Sequence, residues 1–309
     1  MTKVAIVQGT PTYGNLKKSI KRSIKYIKKA AKKNSDLIVF GETWLGGYPG
    51  WIDHCPNVAK WEHPPIMEAW QTIYDHGLEV PSAELNDLQA AAKEYQIVVV
   101  MGINEVVKKG KGNGTIYNSI ITINEKGELV NLHRKLMPTF NEKLIYGMGD
   151  GQGLKAVDTS AGRIGSLVCW EHWMPLTRQA MHDESEDIHI ALWPSVKKSS
   201  RIASEHYAFE GRCYVIAVGQ IMKAKHIPSQ LTLPENFENE PEAYVCNGGS
   251  CVIDPEAEFI LPQQFNKKEV FYVDLPKVAN LAQFKITLAV SGHYQRPDVF
   301  ELEVNKKRS

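Results

Sequence analysis

The most constraining feature of this 309-residue chain is how its apolar periodicity changes over the first hundred residues. Val4-Ala5-Ile6-Val7 is a strand-sized apolar run, stopped by Gly9 and Pro11. Leu16, Ile20, Ile24, Ile27 and Ala31 then recur at steps of four, four, three and four, which marks one face of an amphipathic helix. Leu37-Ile38-Val39-Phe40 is a second short apolar run. After a Pro/Gly/Trp-rich irregular stretch, Leu85, Leu88 and Ala92 predict a helix over Pro81 to Glu94, feeding a strand at Ile97 to Val100. A chain that alternates strand and helix in this way is expected to be α/β.

The same reading continues downstream. Tyr117 to Ile123 and Leu129 to Leu132 flank the turn-like Asn124-Glu125-Lys126-Gly127 and predict a hairpin. Strands are expected at Ile164 to Val168, Ile188 to Trp193 and Tyr214 to Val218, with helices at about Met174 to His182 and Ser199 to Arg212. Cys251-Val252-Ile253 and Val270 to Val273 are expected to form a late hairpin. With no repeat of 20–50 residues and no low-complexity linker, the sequence predicts one domain over 1–309.

Composition narrows the function classes. Lys and Arg number 36 against 35 Asp and Glu, so no global field favours nucleic acid or an anionic membrane. Nine Lys and Arg, with no acid, fall between Gly14 and Lys33, but the apolar stripe there is intact, and the charges are expected on a solvated outer face. Glu235, Glu238, Glu240 and Glu242, set among Pro and Asn, predict an exposed loop. The longest apolar run, Ile97 to Ile103, is far short of the roughly 20 residues of a membrane span. Five cysteines without a C-x-x-C pair fit neither a disulfide framework nor a zinc site, and a reducing cytoplasm is the expected location.

Chemistry concentrates in three places. In Gly165-Ser-Leu-Val-Cys-Trp-Glu-His-Trp-Met-Pro175 a buried strand ends at Cys169, where the chain must turn before a helix. A lone cysteine at a strand end is ordinarily inert core, but Trp170, Glu171 and His172 are bulky, polar neighbours for such a site. Helix amides aimed at a thiol are expected to lower its pKa and make it a nucleophile. His172 is too close in sequence to face the thiol across the turn, and a packing or supporting role is expected for it. Glu42 follows the second apolar strand, where α/β active sites collect. Lys135, at the end of the hairpin, could hold developing negative charge. Taken singly, each of these two is more simply a surface residue. Tyr48, Trp51, Trp170 and Trp193 are the expected walls of a cleft.

Together, Glu42, Lys135 and Cys169 resemble the catalytic set of the nitrilase, or carbon–nitrogen hydrolase, superfamily. The resemblance spans nearly the whole chain, through Phe40 to Thr43, His133 to Glu142, Gly149 to Leu154, Val168 to Leu176, Asn247 to Pro255 and Gly292 to Asp298. The middle blocks are similar to the true nitrilase branch in particular. Two residues depart from it: Gly41 stands where that branch usually has Pro, and His172 where many members carry Asn. The resemblance implies a four-layer α-β-β-α sandwich and hydrolysis of a small-molecule nitrile to its carboxylic acid and ammonia. Glu42 would be general base, Cys169 nucleophile, Lys135 stabiliser and Glu142 a supporting residue, with the Trp170 amide an extra donor. It implies no metal or organic cofactor, and a homodimer or larger spiral with the segment from about 276 reaching into the dimer interface. Amide or N-carbamoyl hydrolysis, hydration of cyanide or nitrile, and a non-catalytic assembly role remain open on the same fold.

Overall fold

Short parallel strands covered on both faces are apolar without alternation, and such runs organise this molecule. The computed structural model describes residues 1–229, 231–276 and 281–308. In chain order the first half comprises β1 (Thr2–Gln8), β2 (Thr12–Tyr13), α1 (Leu16–Ala31), β3 (Leu37–Phe40), β4 (Leu45–Gly46), α2 (Pro64–His76), α3 (Ala83–Tyr95), β5 (Val98–Val107), β6 (Thr115–Ile123) and β7 (Leu129–Arg134). The second half comprises β8 (Val157–Thr159), β9 (Gly162–Val168), α4 (Pro175–His182), β10 (Ile188–Leu192), α5 (Lys198–Gly211), β11 (Tyr214–Val218), β12 (Ile221–Lys223), α6 (Glu235–Asn239), β13 (Tyr244–Ile253), β14 (Phe259–Phe265) and β15 (Glu269–Leu275).

The strands form two sheets. The first runs β15-β1-β3-β5-β4-β2, with β6 and β7 continuing from β5. The second runs β12-β13-β11-β10-β9-β8, with β14 on β13. β1, β3 and β5 are parallel, as are β9, β10 and β11. Side-chain alternation assigns the layers. Val4, Ile6, Leu37, Val39, Val98 and Val100 pack against Leu167, Val168, Ile188 and Ile190 of the other sheet. Their neighbours Ala5, Val7, Ile38, Phe40, Val99 and Met101 pack instead on α1 and α3 through Ile20, Ile27, Leu85 and Leu88. On the far side, Ala180, Met181, Ala203 and Tyr207 of α4 and α5 cover the second sheet. The result is the α-β-β-α sandwich.

Helix boundaries follow local chemistry. The Asn15 side chain accepts the Lys18 N–H and starts α1, whose lysines are mostly exposed. The Ser82 hydroxyl accepts the Leu85 N–H, so α3 begins at Ala83, two residues after the expected Pro81. No helix among the described residues is long and apolar enough to cross a membrane.

Three expectations are corrected. The late hairpin does not form: β13 pairs with β14, whereas β15 crosses to the first sheet and lies antiparallel to β1, Thr2 opposite Leu275 and Gln8 opposite Glu269. β14 escapes sequence reading because Phe259–Phe265 is only half covered and is interrupted by Pro262 and two glutamines. β15 completes the otherwise open edge of β1. The Pro/Gly/Trp-rich stretch contains α2, which buries only Pro65, Ala69 and Ile73 and so shows no full apolar stripe. The acidic loop contains the short α6, pinned by the buried Phe237 while its glutamates stay exposed.

The sandwich delivers the carboxyl ends of β3, β7 and β9 to one crevice. Gly102 on β5 makes this possible for β3: a Cβ there would sit 2.4 Å from the Gly41 carbonyl oxygen and 2.8 Å from Glu42 Cα. Gly102→Ala is therefore expected to lower stability by about 1–3 kcal/mol, since these contacts are backbone and cannot swing aside. Urea unfolding with an unchanged m-value would show it.

Candidate active site

Cys169 opens a single 3₁₀ turn, Cys169–Trp173, directly after β9. Its φ is +54°, in the left-handed region that non-glycine residues occupy only under constraint. The constraint is Glu171. Its buried carboxylate accepts the Val168 N–H at 2.7 Å and the Leu136 N–H at 2.7 Å, and lies 2.9 Å from His133 Nε2. One side chain thus ties the cysteine turn to the segment carrying Lys135. Burial pushes the Glu171 carboxyl up, but His133 and the two amides outweigh it and hold it below the ordinary range.

Glu42 lies two residues beyond β3 and is wholly buried. Its Oε1 accepts the Asn118 side-chain amide at 2.7 Å and stands 3.5 Å from Lys135 Nζ. Oε2 has no hydrogen-bond partner among the described residues, leaving a lone pair open to a proton. The Glu42 backbone carbonyl accepts the Gln220 side-chain amide. A Cβ on Gly41 would meet Gln220 Cγ at 2.6 Å, which is what the glycine before this glutamate makes room for.

Lys135 is held at the centre. Its ammonium donates to Glu142 Oε2 at 2.6 Å. The same oxygen accepts the Thr139 N–H at 2.8 Å, and Glu142 Oε1 accepts the Tyr48 hydroxyl at 2.9 Å. Burial works against the ammonium, but Glu142, Cys169 and Glu42 together hold its pKa above the ordinary lysine value, so it stays charged. Burial raises Glu42 to about 7, opposed by Lys135 and reinforced by Glu142.

The thiol behaves differently from the expectation of a lowered pKa. Burial pushes Cys169 well above its ordinary value; Lys135 and the Trp170 backbone N–H pull down, while Glu42 and Glu142 push further up. A single 3₁₀ turn supplies too few aligned amides to offset desolvation. Near neutral pH the site therefore holds a thiol, an ammonium, and a carboxyl poised to gain or lose a proton.

A cleft of about 350 Å³ is lined by Tyr48, Glu142, Cys169, Trp170 and Trp193 among others. Glu42 and Lys135 are not in its lining and lie buried behind it, Lys135 joined to the lining through Glu142. Trp51 is not part of the lining. The turn Gly50–His54 swings that indole inward, where it is buried edge-on against Tyr13 with ring centres 5.6 Å apart. His172 faces away from the cleft, with Nδ1 2.6 Å from the Cys169 carbonyl oxygen. Sequence reading did not single out Asn118, Gln220 or a bridging role for Glu171. Asn118 is one of several polar residues in β6, beside Thr115, Ser119 and Thr122, and so does not stand out; Gln220 and the Leu136 contact of Glu171 act across the fold.

The chain matches the carbon–nitrogen hydrolase family over residues 3–283 and belongs to that family. It is 31% identical to an aliphatic nitrilase of Sinorhizobium fredii (strain HH103), covering 99% of this chain and 97% of that protein. A bifunctional nitrilase/nitrile hydratase, NIT4B, of Nicotiana tabacum is 28% identical, with 98% and 85% covered. Among solved structures, a carbon–nitrogen hydrolase from Helicobacter pylori G27 superposes with a TM-score of 0.69 at 18% identity, covering 96% of each chain.

Removing the central charge tests the electrostatics. Lys135→Met leaves Glu42 and Glu142 facing each other in the interior, with an expected loss of about 3–5 kcal/mol near neutral pH. Glu42 would then lose the Lys135 charge that lowers its pKa and keep the burial and the Glu142 charge that raise it, so its native value lies further above the unfolded one. Its protonated form is favoured in the native state, so the deficit should shrink as pH falls toward about 5. Urea unfolding at both pH values reads the difference.

Proposed function

We propose that this chain hydrolyses a small-molecule nitrile to the carboxylic acid and ammonia, with Cys169 as nucleophile. The observation that carries the reading is a buried Glu42–Lys135 pair, 3.5 Å apart, whose charges act on Cys169 at the wall of an aromatic-lined cleft, the three coming from segments more than thirty residues apart. Likeness to nitrilases along almost the full chain supports the substrate class.

In this scheme Glu42 takes the thiol proton as sulfur forms a bond to the nitrile carbon. One C–N π bond becomes a lone pair on nitrogen, which Lys135 stabilises and to which Glu42 passes the thiol proton, giving a thioimidate and restoring the Glu42 carboxylate. A water, deprotonated by Glu42, adds to that carbon, and ammonia leaves to give a thioester. A second water cleaves the C–S bond, releasing the acid and restoring the thiol. Two waters are consumed for each nitrile. Glu142 holds the ammonium, and the Trp170 amide is a further donor beside the reacting carbon. The scheme needs neither metal nor organic cofactor.

A second outcome is favoured by the bifunctional relative. If the tetrahedral adduct expels the cysteine sulfur instead of ammonia, the product is the amide. The ratio depends on which leaving group the cleft protonates.

The catalytic unit is proposed to work as a homodimer or larger assembly. Trp173 and Leu176 next to or on α4, and Ile202 and Phe209 on α5, are exposed apolar side chains on the outer helical layer. Ile286, Tyr294, Val299 and Phe300 expose further apolar surface in the segment beyond 276, of which 277–280 lie outside the described residues. The Arg308 end of that segment returns to its own chain, donating to the Leu132 carbonyl at 2.8 Å. Light scattering after size exclusion should give at least twice the chain mass of 34.7 kDa.

The deciding experiment incubates the protein with panels of nitriles and amides, reading ammonia, acid and amide while searching for a mass adduct on Cys169. Turnover by Cys169→Ala, or no adduct from either panel, would overturn the reading. With a substrate in hand, kcat/KM should fall as pH drops through about 7, because protonated Glu42 cannot accept the thiol proton. Glu42→Gln should lose roughly 10²–10⁴ in rate along with that acid limb.

A further inference from the structure

Behind Cys169, on the side away from the cleft, lies a chain of buried titratable groups that the proposed reaction does not use. His172 Nδ1 is 2.6 Å from the Cys169 carbonyl oxygen, and His172 Nε2 is 3.0 Å from His189 Nε2. His189 Nδ1 is 2.9 Å from Glu186 Oε1 and 3.0 Å from Oε2, and the Tyr207 hydroxyl donates to Oε2 at 2.7 Å. All four side chains are buried. The space is built for them: a Cβ on Gly165 of β9 would overlap Glu186 Oε1 at 1.5 Å. Trp193 stacks on His172 with ring centres 4.9 Å apart, and Arg178 donates to the His172 carbonyl at 3.1 Å.

The polarity of this chain follows from its far end. A backbone carbonyl only accepts, so His172 Nδ1 must carry a hydrogen. A neutral His172 then presents a lone pair at Nε2, and His189 must donate from its own Nε2. What remains is one proton between His189 Nδ1 and Glu186, on either a carboxylic acid or an imidazolium paired with a carboxylate. Both arrangements leave the group neutral overall, which burial requires. The alternative, an imidazolium at His172, would bury a positive charge near the Arg178 guanidinium; burial and His189 push His172 down to about 3. Burial meanwhile raises Glu186 to about 8, in keeping with a retained proton.

We propose that His172, His189 and Glu186 form a one-directional hydrogen-bond chain, completed by a single proton on the Glu186–His189 pair, that clamps the Cys169 carbonyl and so positions the nucleophile. The left-handed backbone at Cys169 persists only if its surroundings over-determine it. Glu171 fixes the Leu167–Val168 peptide, one unit upstream of the cysteine, through the Val168 N–H, and His172 fixes the Cys169–Trp170 peptide through the Cys169 carbonyl. His172, His189 and Glu186 are positioning residues, acting on the reaction only through that backbone.

The test separates this device from the identity of the substrate. In ¹⁵N-histidine NMR at neutral pH, assigned with single-histidine variants, His172 is expected as the Nδ1–H tautomer, with a proton on His189 Nε2. A His172 that is doubly protonated or carries its hydrogen on Nε2 overturns the proposal. The second readout is the rate of Cys169 alkylation by iodoacetamide, located by peptide mass spectrometry, which needs no nitrile turnover. Glu186→Leu and His172→Phe should slow it by about 10–100-fold through displacement of the sulfur. Glu186→Gln, whose amide N–H donates permanently toward His189, should remain within about threefold of the parent. Circular dichroism and thermal melting confirm that each variant is folded. Equal rates in parent, Glu186→Leu and Glu186→Gln would also refute the clamp, and this comparison stands even if His172→Phe fails to fold. A protein inactive on every nitrile but showing the expected tautomers and alkylation rates would remove the proposed substrate and leave the positioning chain intact.

Discussion

The buried ammonium of Lys135, held between the carboxylates of Glu42 and Glu142, is the interaction on which the site depends. Two acidic groups so close in a dry interior would otherwise repel and take up protons. The ammonium keeps Glu142 engaged at 2.6 Å while leaving Glu42, at 3.5 Å, more loosely bound. That inequality divides the labour between two chemically identical side chains. One becomes a fixed anchor, with the Tyr48 hydroxyl and the Thr139 amide as further partners. The other keeps a free oxygen and a pKa raised to about 7.

Such an ion cluster is stable only where the surrounding matrix is rigid and its charges are hydrogen-bonded. The two-sheet seam supplies the rigidity. Parallel strands end at one crevice, and their turns are fastened across the fold rather than along it: Glu171 joins the cysteine turn to the lysine segment, Asn118 holds Glu42 from β6, and Gln220 holds the Glu42 carbonyl. The same logic holds behind the sulfur, where His172 meets the Cys169 carbonyl and is backed in turn by His189 of β10, Glu186 of the loop before it and Tyr207 of α5. Cys169 thus sits between two polar networks of opposite purpose. The one on the cleft side contains movable protons; the one behind it is neutral overall and directional.

Much of this was legible before any coordinates. The runs Val4–Val7, Leu37–Phe40 and Ile97–Val100 read as strands because both their faces are buried, and α1 reads as a helix because its far face is solvated. Where an element is only partly covered, the signal faded. β14 is half exposed and broken by Pro262, and α2 buries three residues. Pairing was misread for β15 because hairpins are the shortest connection, whereas this strand serves a distant edge. Trp51 and Tyr48 stand three residues apart in a loop with no period, so nothing in the sequence separated the buried indole from the cleft-facing phenol.

Residue order alone determined the alternation of strands and helices, the near-neutral charge, and the placing of Glu42, Lys135 and Cys169 just beyond strand ends. Its motifs resembled those of carbon–nitrogen hydrolases, because both backbone periodicity and motif spacing are local properties of a chain. Tertiary structure decided everything that depends on proximity and dielectric. It fixed which carboxylate is fully partnered and which keeps an open oxygen, and burial outweighs the turn amides at the thiol. It showed what His172 supports, placing its Nδ1 2.6 Å from the Cys169 carbonyl oxygen. A pKa and a hydrogen bond's direction are set by what lies within a few ångströms, and those neighbours come from segments that only folding brings together.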